Sequence, residues 1–446
     1  MTELPGKIRF APGDYFMLTQ DVWMRRCGLE GNICCAILRL DKGLDVERLR
    51  RRMKESPIMD WLARVRAVRP LPFLPPVWKL NPTPSEIFFE HDGKGVEMET
   101  PWSLPKFVSQ HRLQPDLDPG VVFDLLHHAD GTSHLFFSWN HAHLDAQGVD
   151  FVLHHLSTNA ETNGGASLKD FISPGQITGL PISKWWERAG FARTSWPWLE
   201  QSGKEPLFTP APPEPRAKDL QNHQRRIHFT PEETVRIAEQ ASKITSGFRR
   251  SHYYLAAAVK AIHNTGKQRG NKDGAYLIPV PHDIRKHGAK GPVFSNHLSV
   301  LFYRIEAAQA GQLRDIVGEL GKQMTNMIRE RFPEACMAAL NMFKILPTGF
   351  YIKQLGKPTR NKLASLSFSD SGEACPGMTD FCGAKILDVT HLIPCWKCPG
   401  VTVLFLQFNG RLSVMLSWVD DSLTPAEADK FEADLRRNLL ESEVPA

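Results

Sequence analysis

A proline- and tryptophan-rich segment between Pro181 and Arg216 separates two stretches of alternating strand-like and helix-like patterning. That division restricts the possible folds more than any other feature. Trp185, Trp186, Trp196 and Trp198 are interleaved with prolines, and the segment ends in Pro210-Ala-Pro-Pro-Glu-Pro215. Each proline removes a backbone donor and fixes φ, so neither a central strand nor a long helix can run through such a cluster. A semi-rigid crossover between two lobes is expected, with its tryptophans pinning it to the surface. Residues 1–180 then form an N-terminal lobe, 181–216 the crossover and 217–446 a C-terminal lobe. A length of 446 residues agrees, being too great for one ordinary core.

Within the first lobe, Asn32 to Leu40 reads as a strand, and Asp45 can cap a helix whose Val46, Leu49 and Met53 share a face. Prolines interrupt Pro70 to Pro84, where no regular structure is expected. Val121 to Leu126 and His134 to Trp139 flank Ala129-Asp130-Gly131 and read as a β-hairpin. The chain then passes through Asn140-His141-Ala142-His143-Leu144-Asp145-Ala146-Gln147-Gly148 into a helix carrying Val149, Phe151, Val152 and Leu156. In the second lobe Thr230-Pro231-Glu232-Glu233 combines a cap, a first-turn proline and a capping box. Tyr253 to Ile262 follows as a buried helix. Cys336 to Leu355 is apolar apart from two lysines. A buried helix broken at Pro347 is expected there, with an acyl-chain or membrane-touching surface as the alternative. The fold class is α/β, or α+β with mixed sheets.

Composition removes several classes. With 42% apolar and 23% charged residues the chain is close to the globular average, which excludes a disordered chain, a coiled coil and a collagen repeat. No stretch approaches the ~18 apolar residues of a membrane span, and MTELPGKIRFAPGDY lacks a secretory core. The eight cysteines are too dispersed for a disulfide scaffold, so a cytoplasmic protein is expected. Cys375, Cys382, Cys395 and Cys398 have poor zinc spacing, and Pro394 and Pro399 bracket a loop, so free thiols are expected. A net charge of +5 cannot bind nucleic acid but can steer a small anion or an acidic carrier protein.

Two chemistries overlap between Asn140 and Gly148. Read as His-x-His-x-Asp, His141, His143 and Asp145 fall on one side of an extended segment, as metal ligands would. That pattern resembles the metallo-β-lactamase superfamily, whose next histidine is Ala146 here; a zinc-dependent metallohydrolase is the reading it supports. Read as His-x-x-x-Asp, the segment offers one imidazole, His141, and one carboxylate, Asp145, just past a buried strand. Standing alone, His141 would be an ordinary hydrogen-bonded histidine.

Matches elsewhere give the second pattern its weight. Leu277 to Ile305 leads from a strand to Arg285 and later to Asn296. Ser365-Leu-Ser-Phe-Ser369-Asp-Ser-Gly372 ends a further strand, Phe381 to Lys385 and Val401 to Val419 read as closing strands, and a helix starts at Thr424. Together these resemble the CoA-dependent acyltransferase superfamily, which includes chloramphenicol acetyltransferase, BAHD acyltransferases, condensation domains and the wax ester synthase branch. Ala11-Pro-Gly-Asp-Tyr15 is similar to the start of that last branch. The resemblance implies two chloramphenicol-acetyltransferase-like lobes with an active-site tunnel between them. It makes His141 the general base and pairs Asp145 with Arg285 to shape the loop, through two bonds from the planar guanidinium. It sets Asn296, Ser367 and Ser369 along the acyl or oxyanion region. No metal or resident cofactor is implied, only acyl-CoA or acyl carrier phosphopantetheine as co-substrate, a small hydroxyl or amine acceptor and a monomeric, non-membrane-spanning enzyme. Amide formation of the condensation type is the alternative product. Two positions depart from the pattern. Asn140 replaces a structural histidine, and Ala146 replaces a glycine whose freedom at positive φ a methyl group would restrict. A member without turnover is therefore a further alternative.

Overall fold

The computed structural model describes residues 4–157, 171–173, 176–177, 184–212, 220–245, 250–271, 273–285, 291–359 and 361–441. The expected hairpin forms part of a six-stranded sheet: Val121–His127 pairs antiparallel with Ser133–Asn140, with Val121 opposite Trp139. All eight residues of Ser133–Asn140 are buried, as expected of a strand covered on both faces. Ile33–Leu40 lies antiparallel on its other side, and Phe88–Asp92 runs parallel to Val121–His127 at one edge. At the opposite edge Ala384–Leu392 pairs with Ile33–Leu40 and carries the short strand Asp380–Phe381. Two strands from 217–446 thus complete the sheet of the first 180 residues. The crossover divides the sequence, but this sheet spans the divide.

A second, four-stranded sheet contains the closing strands Val401–Phe408 and Arg411–Val419, antiparallel, between Asn222–His228 and the parallel Ser367–Glu373. Tyr276–Asp283 and Leu298–Ile305 form an antiparallel ribbon. It is tied to that sheet where the Ser365 amide donates to the Leu277 carbonyl at 2.7 Å and the Leu277 amide to Ser365 Oγ at 3.0 Å. The fold is mixed α/β, with parallel and antiparallel pairs in both larger sheets.

Local signals account for many boundaries. Asp45 accepts from the Arg48 amide at 2.9 Å, capping Val46–Glu55, whose Leu49 and Met53 are buried. Thr230 and Glu233 exchange the two bonds of a capping box at the start of Pro231–Thr245. Arg250–Gln268 buries Tyr253 to Ile262 apart from the half-buried Lys260. Pro347 separates Phe332–Phe343 from Thr348–Gly356. The expectation for Pro70 to Pro84 is corrected: Val77–Leu80 forms the middle strand of a small sheet between Lys7–Arg9 and Val65–Val68. Its neighbouring prolines only flank it, and a fully buried Trp78 stacked on Phe10 at 4.1 Å supplies the reason to order it. In the crossover, Trp185–Arg193 and Trp196–Ser202 are short helices. Trp198 packs against Phe332, whereas Trp186 and Trp196 remain exposed; Pro213 to Arg216 lies outside the described residues. All eight cysteines are buried and free. Among the described residues no helix is long and apolar enough to cross a membrane.

Candidate active site

The segment between Asn140 and Ala146 is a tight turn rather than an extended strand. The His143 amide donates to the Asn140 carbonyl at 2.9 Å, and the Ala142 amide to Asn140 Oδ1 at 3.0 Å. This geometry corrects the His-x-His-x-Asp reading, because a turn sends His141, His143 and Asp145 in different directions. His143 enters the core, fully buried against Trp78 with ring centroids 4.3 Å apart and neither ring nitrogen hydrogen-bonded. Burial pushes its pKa down to about 3, so the ring is neutral. Among the described residues no three His, Cys, Asp or Glu side chains converge as a metal-binding group.

His141 is half-buried, and its amide donates to the Asn32 carbonyl at 2.9 Å. Nδ1 is enclosed without a hydrogen-bond partner. Burial holds the ring's pKa below the ordinary histidine value, opposed by its own carbonyl, the charge of Asp145 and the Asn296 amide. A neutral imidazole at pH 7 is the form that can accept a proton.

Asp145 turns away from the imidazole. Its Oδ1 accepts from the Gly148 amide at 3.1 Å and so caps Ala146–Ser157. Its Oδ2 accepts from Arg285 Nη2 at 2.7 Å, across 140 residues of sequence, and from the His297 amide at 3.3 Å. The contact is a single bond, which corrects the expected two-bond grip. The other donors of Arg285 are engaged by the Pro292 carbonyl at 2.7 Å and Asp283 at 3.2 Å. Ala146 is the first helical residue and does not adopt positive φ, so the methyl group there meets no conformational obstacle.

Asn296 is brought to the same loop. It is fully buried, and its Nδ2 donates to the carbonyls of His141 at 2.8 Å and Ala142 at 3.2 Å. An amide engaged in this way fixes the histidine loop. Ser367 and Ser369 lie on Ser367–Glu373 of the four-stranded sheet, two residues apart and so on one face. Ser367 Oγ is buried without a hydrogen-bond partner.

Two carboxylates were missed by sequence reasoning. Asp14 is fully buried and accepts from the Asn296 amide at 2.8 Å. Asp21, 2% exposed, accepts from Asn140 Nδ2 and from the Asn32 amide, both at 2.8 Å. Asp14 carried a signal, its place in Ala11-Pro-Gly-Asp-Tyr15; Asp21 carried only its i,i+4 spacing to Arg25, with which it pairs at 2.9 Å, while its partners in the loop are 11 and 119 residues away. Behind Asp21 opens a cavity of about 500 Å³, lined among others by Tyr15, Val22, Arg25, Arg26 and Arg69.

No protein-family model and no curated protein matches the sequence. Solved structures do. The trichothecene 15-O-acetyltransferase TRI3 from Fusarium sporotrichioides superposes with a TM-score of 0.68 at 13% identity, covering 97% of this chain and 95% of that one. The epimerization domain from the third module of tyrocidine synthetase B gives 0.67 at 13% identity, over 98% and 96%. A variant of the starter condensation domain of rhizomide synthetase in complex with C8-CoA gives 0.67 at 14% identity, over 98% and 95%. These near-complete superpositions show that the chain has the mixed α/β fold shared by these acetyltransferase, epimerization and condensation domains.

Proposed function

We propose that the protein transfers an acyl group from a thioester to a hydroxyl or amine, with His141 as general base. The observation that carries this reading is a neutral, half-buried imidazole with one nitrogen enclosed, on a loop tied from several sides. Such fixation suits a group that must meet a substrate proton in a narrow geometry. In the proposed step, Nε2 takes the acceptor's proton as its oxygen or nitrogen attacks the thioester carbonyl. The tetrahedral adduct then collapses by breaking the carbon–sulfur bond, and the protonated imidazole returns its proton to the leaving thiolate. Ester or amide plus thiol is formed, and no covalent enzyme intermediate is needed. Asp145 stays paired with Arg285 throughout and acts on the shape of the loop.

The thioester donor is acyl-CoA or an acyl carrier's phosphopantetheine. Support comes from the cavity beside Asp21, whose lining includes Arg26 together with Arg25, which is paired with Asp21, and Arg69, which is bonded to backbone carbonyls. Guanidinium groups are suited to a phosphate-bearing arm. A passage between the lobes, leading to Nε2 from two sides, and a monomer with a small-molecule acceptor complete the proposal. Ester and amide products share every step above. The test is intact-mass detection of transfer from a panel of acyl-CoA and acyl-carrier donors to alcohols and amines. Transfer to either acceptor class supports the reading; tight thioester binding without transfer to any acceptor favours a member that has lost turnover.

A further inference from the structure

We propose that the helix Pro12–Arg26 splints the histidine loop, with Asp14 and Asp21 as positioning residues that hold it through Asn296, Asn140 and Asn32. This rests on the reading of His141 as base. Seven residues apart, the two carboxylates lie about two turns along one helix face. Each stands one side chain or one residue away from the loop's backbone. From Asp14 the path runs to the Asn296 amide, whose own Nδ2 donates to the His141 carbonyl. From Asp21 one path runs to Asn140 Nδ2, with Asn140 Oδ1 receiving the Ala142 amide. Another runs to the Asn32 amide, and the Asn32 carbonyl takes the His141 amide. The carbonyl and the amide of the proposed base are thus both secured from this helix.

Packing alone does not explain Asp14; Asp21 has in addition an ion pair with Arg25 one turn on, at 2.9 Å. A buried carboxylate costs solvation that an apolar side chain of similar size would not. Burial raises the pKa of Asp14 to about 6 despite bonds from Asn296, Trp78, Ser295 and Ala11. The helix also sits directly on its target. A methyl group at Gly13 would come within 2.6 Å of the Asn296 carbonyl oxygen, so a side chain there would push the two apart.

A double-mutant cycle tests the inference. Asp14→Ala is expected to lower kcat about 10- to 100-fold, the scale of a sub-ångström to one-ångström misplacement, with KM for both substrates nearly unchanged. In an Asn296→Ala background the same change is expected to cost less than about twofold, because the path is already cut. Asp21→Ala and Asn140→Ala form the second cycle; Asp21 also lines the cavity, so its effect is read on kcat alone. Asp14→Asn keeps one acceptor for the Asn296 amide but turns its NH2 on the Ala11 amide and Trp78 Nε1, so it is expected to recover only part of the rate; it also serves if the alanine variant fails to fold. Full additivity in both cycles, or unchanged kcat in Asp14→Ala and Asp14→Asn, would overturn the splint. His141→Ala separates the two levels: an inactive His141→Ala with normal Asp14 variants removes only the splint, whereas an active His141→Ala removes the base.

Discussion

Replacing Asp145 separates its two structural duties, and their sizes follow from its contacts. The side chains of Asp145 and Arg285 are 10% and 4% exposed, so the pair is buried. Removing one partner of a buried pair leaves a charge unmet, at a cost of about 3–5 kcal/mol. Arg285 keeps the Pro292 carbonyl and Asp283, which places the loss at or below the lower end of that range. Asp145 also caps Ala146–Ser157 through the Gly148 amide, a contribution of about 1 kcal/mol. Asparagine caps as well as aspartate does but carries no charge. Asp145→Asn is therefore expected to cost about 2 kcal/mol and Asp145→Ala about 3 kcal/mol. Urea unfolding at pH 7 measures both, with unchanged m-values showing that the midpoint shift is a stability change. Equal losses for the two variants would refute the capping role. A loss under about 0.5 kcal/mol for Asp145→Ala would refute the buried pair.

Three further outcomes follow. The acid limb of kcat/KM is expected below pH 6.5, since burial lowers the pKa of His141 and the neutral base persists as pH falls; a limb above 7 would contradict its assignment. Gly120→Ala would bring a methyl group within 2.6 Å of Nε2 of the buried His143, so a loss of about 1–3 kcal/mol is expected on unfolding, and a neutral result would show that His143 has room to move. His391, fully enclosed, has its pKa lowered to about 4, whereas the unfolded chain's histidine titrates near 6.5. Between those values the unfolded state binds the extra proton, so stability falls on acidification. Relative to His391→Phe, the native protein is expected to lose stability more steeply between pH 6 and 4.5, by about 1.4 kcal/mol per pH unit, and parallel curves would contradict a buried neutral ring.

How much of this was legible in the sequence depended on range. The hairpin ending at Asn140 and the caps at Asp45 and Thr230 rest on near neighbours, so periodicity and cap chemistry found them. Val77–Leu80 was hidden because flanking prolines masked a four-residue strand whose cause is Trp78, buried by distant segments. The alternation rule misplaced His143, because it assumed an extended segment where the Asn140 side chain closes a turn. Arg285 was reached only through family resemblance, since nothing local links it to Asp145. The same resemblance singled out Asn296, but the bonds from its Nδ2 to the loop's carbonyls were not legible, because they link residues more than 150 positions apart. Nothing in the sequence assigns Ala384–Leu392 to the sheet of the first 180 residues, a pairing that only the folded chain makes.

The most direct test of His141 as base is single-turnover acyl transfer, in a donor and acceptor pair found by the mass screen, compared between the native protein and His141→Ala. The rate is expected to fall about 10²- to 10⁴-fold while donor binding stays within a small factor of the native value. Undiminished transfer by the alanine variant would contradict the account.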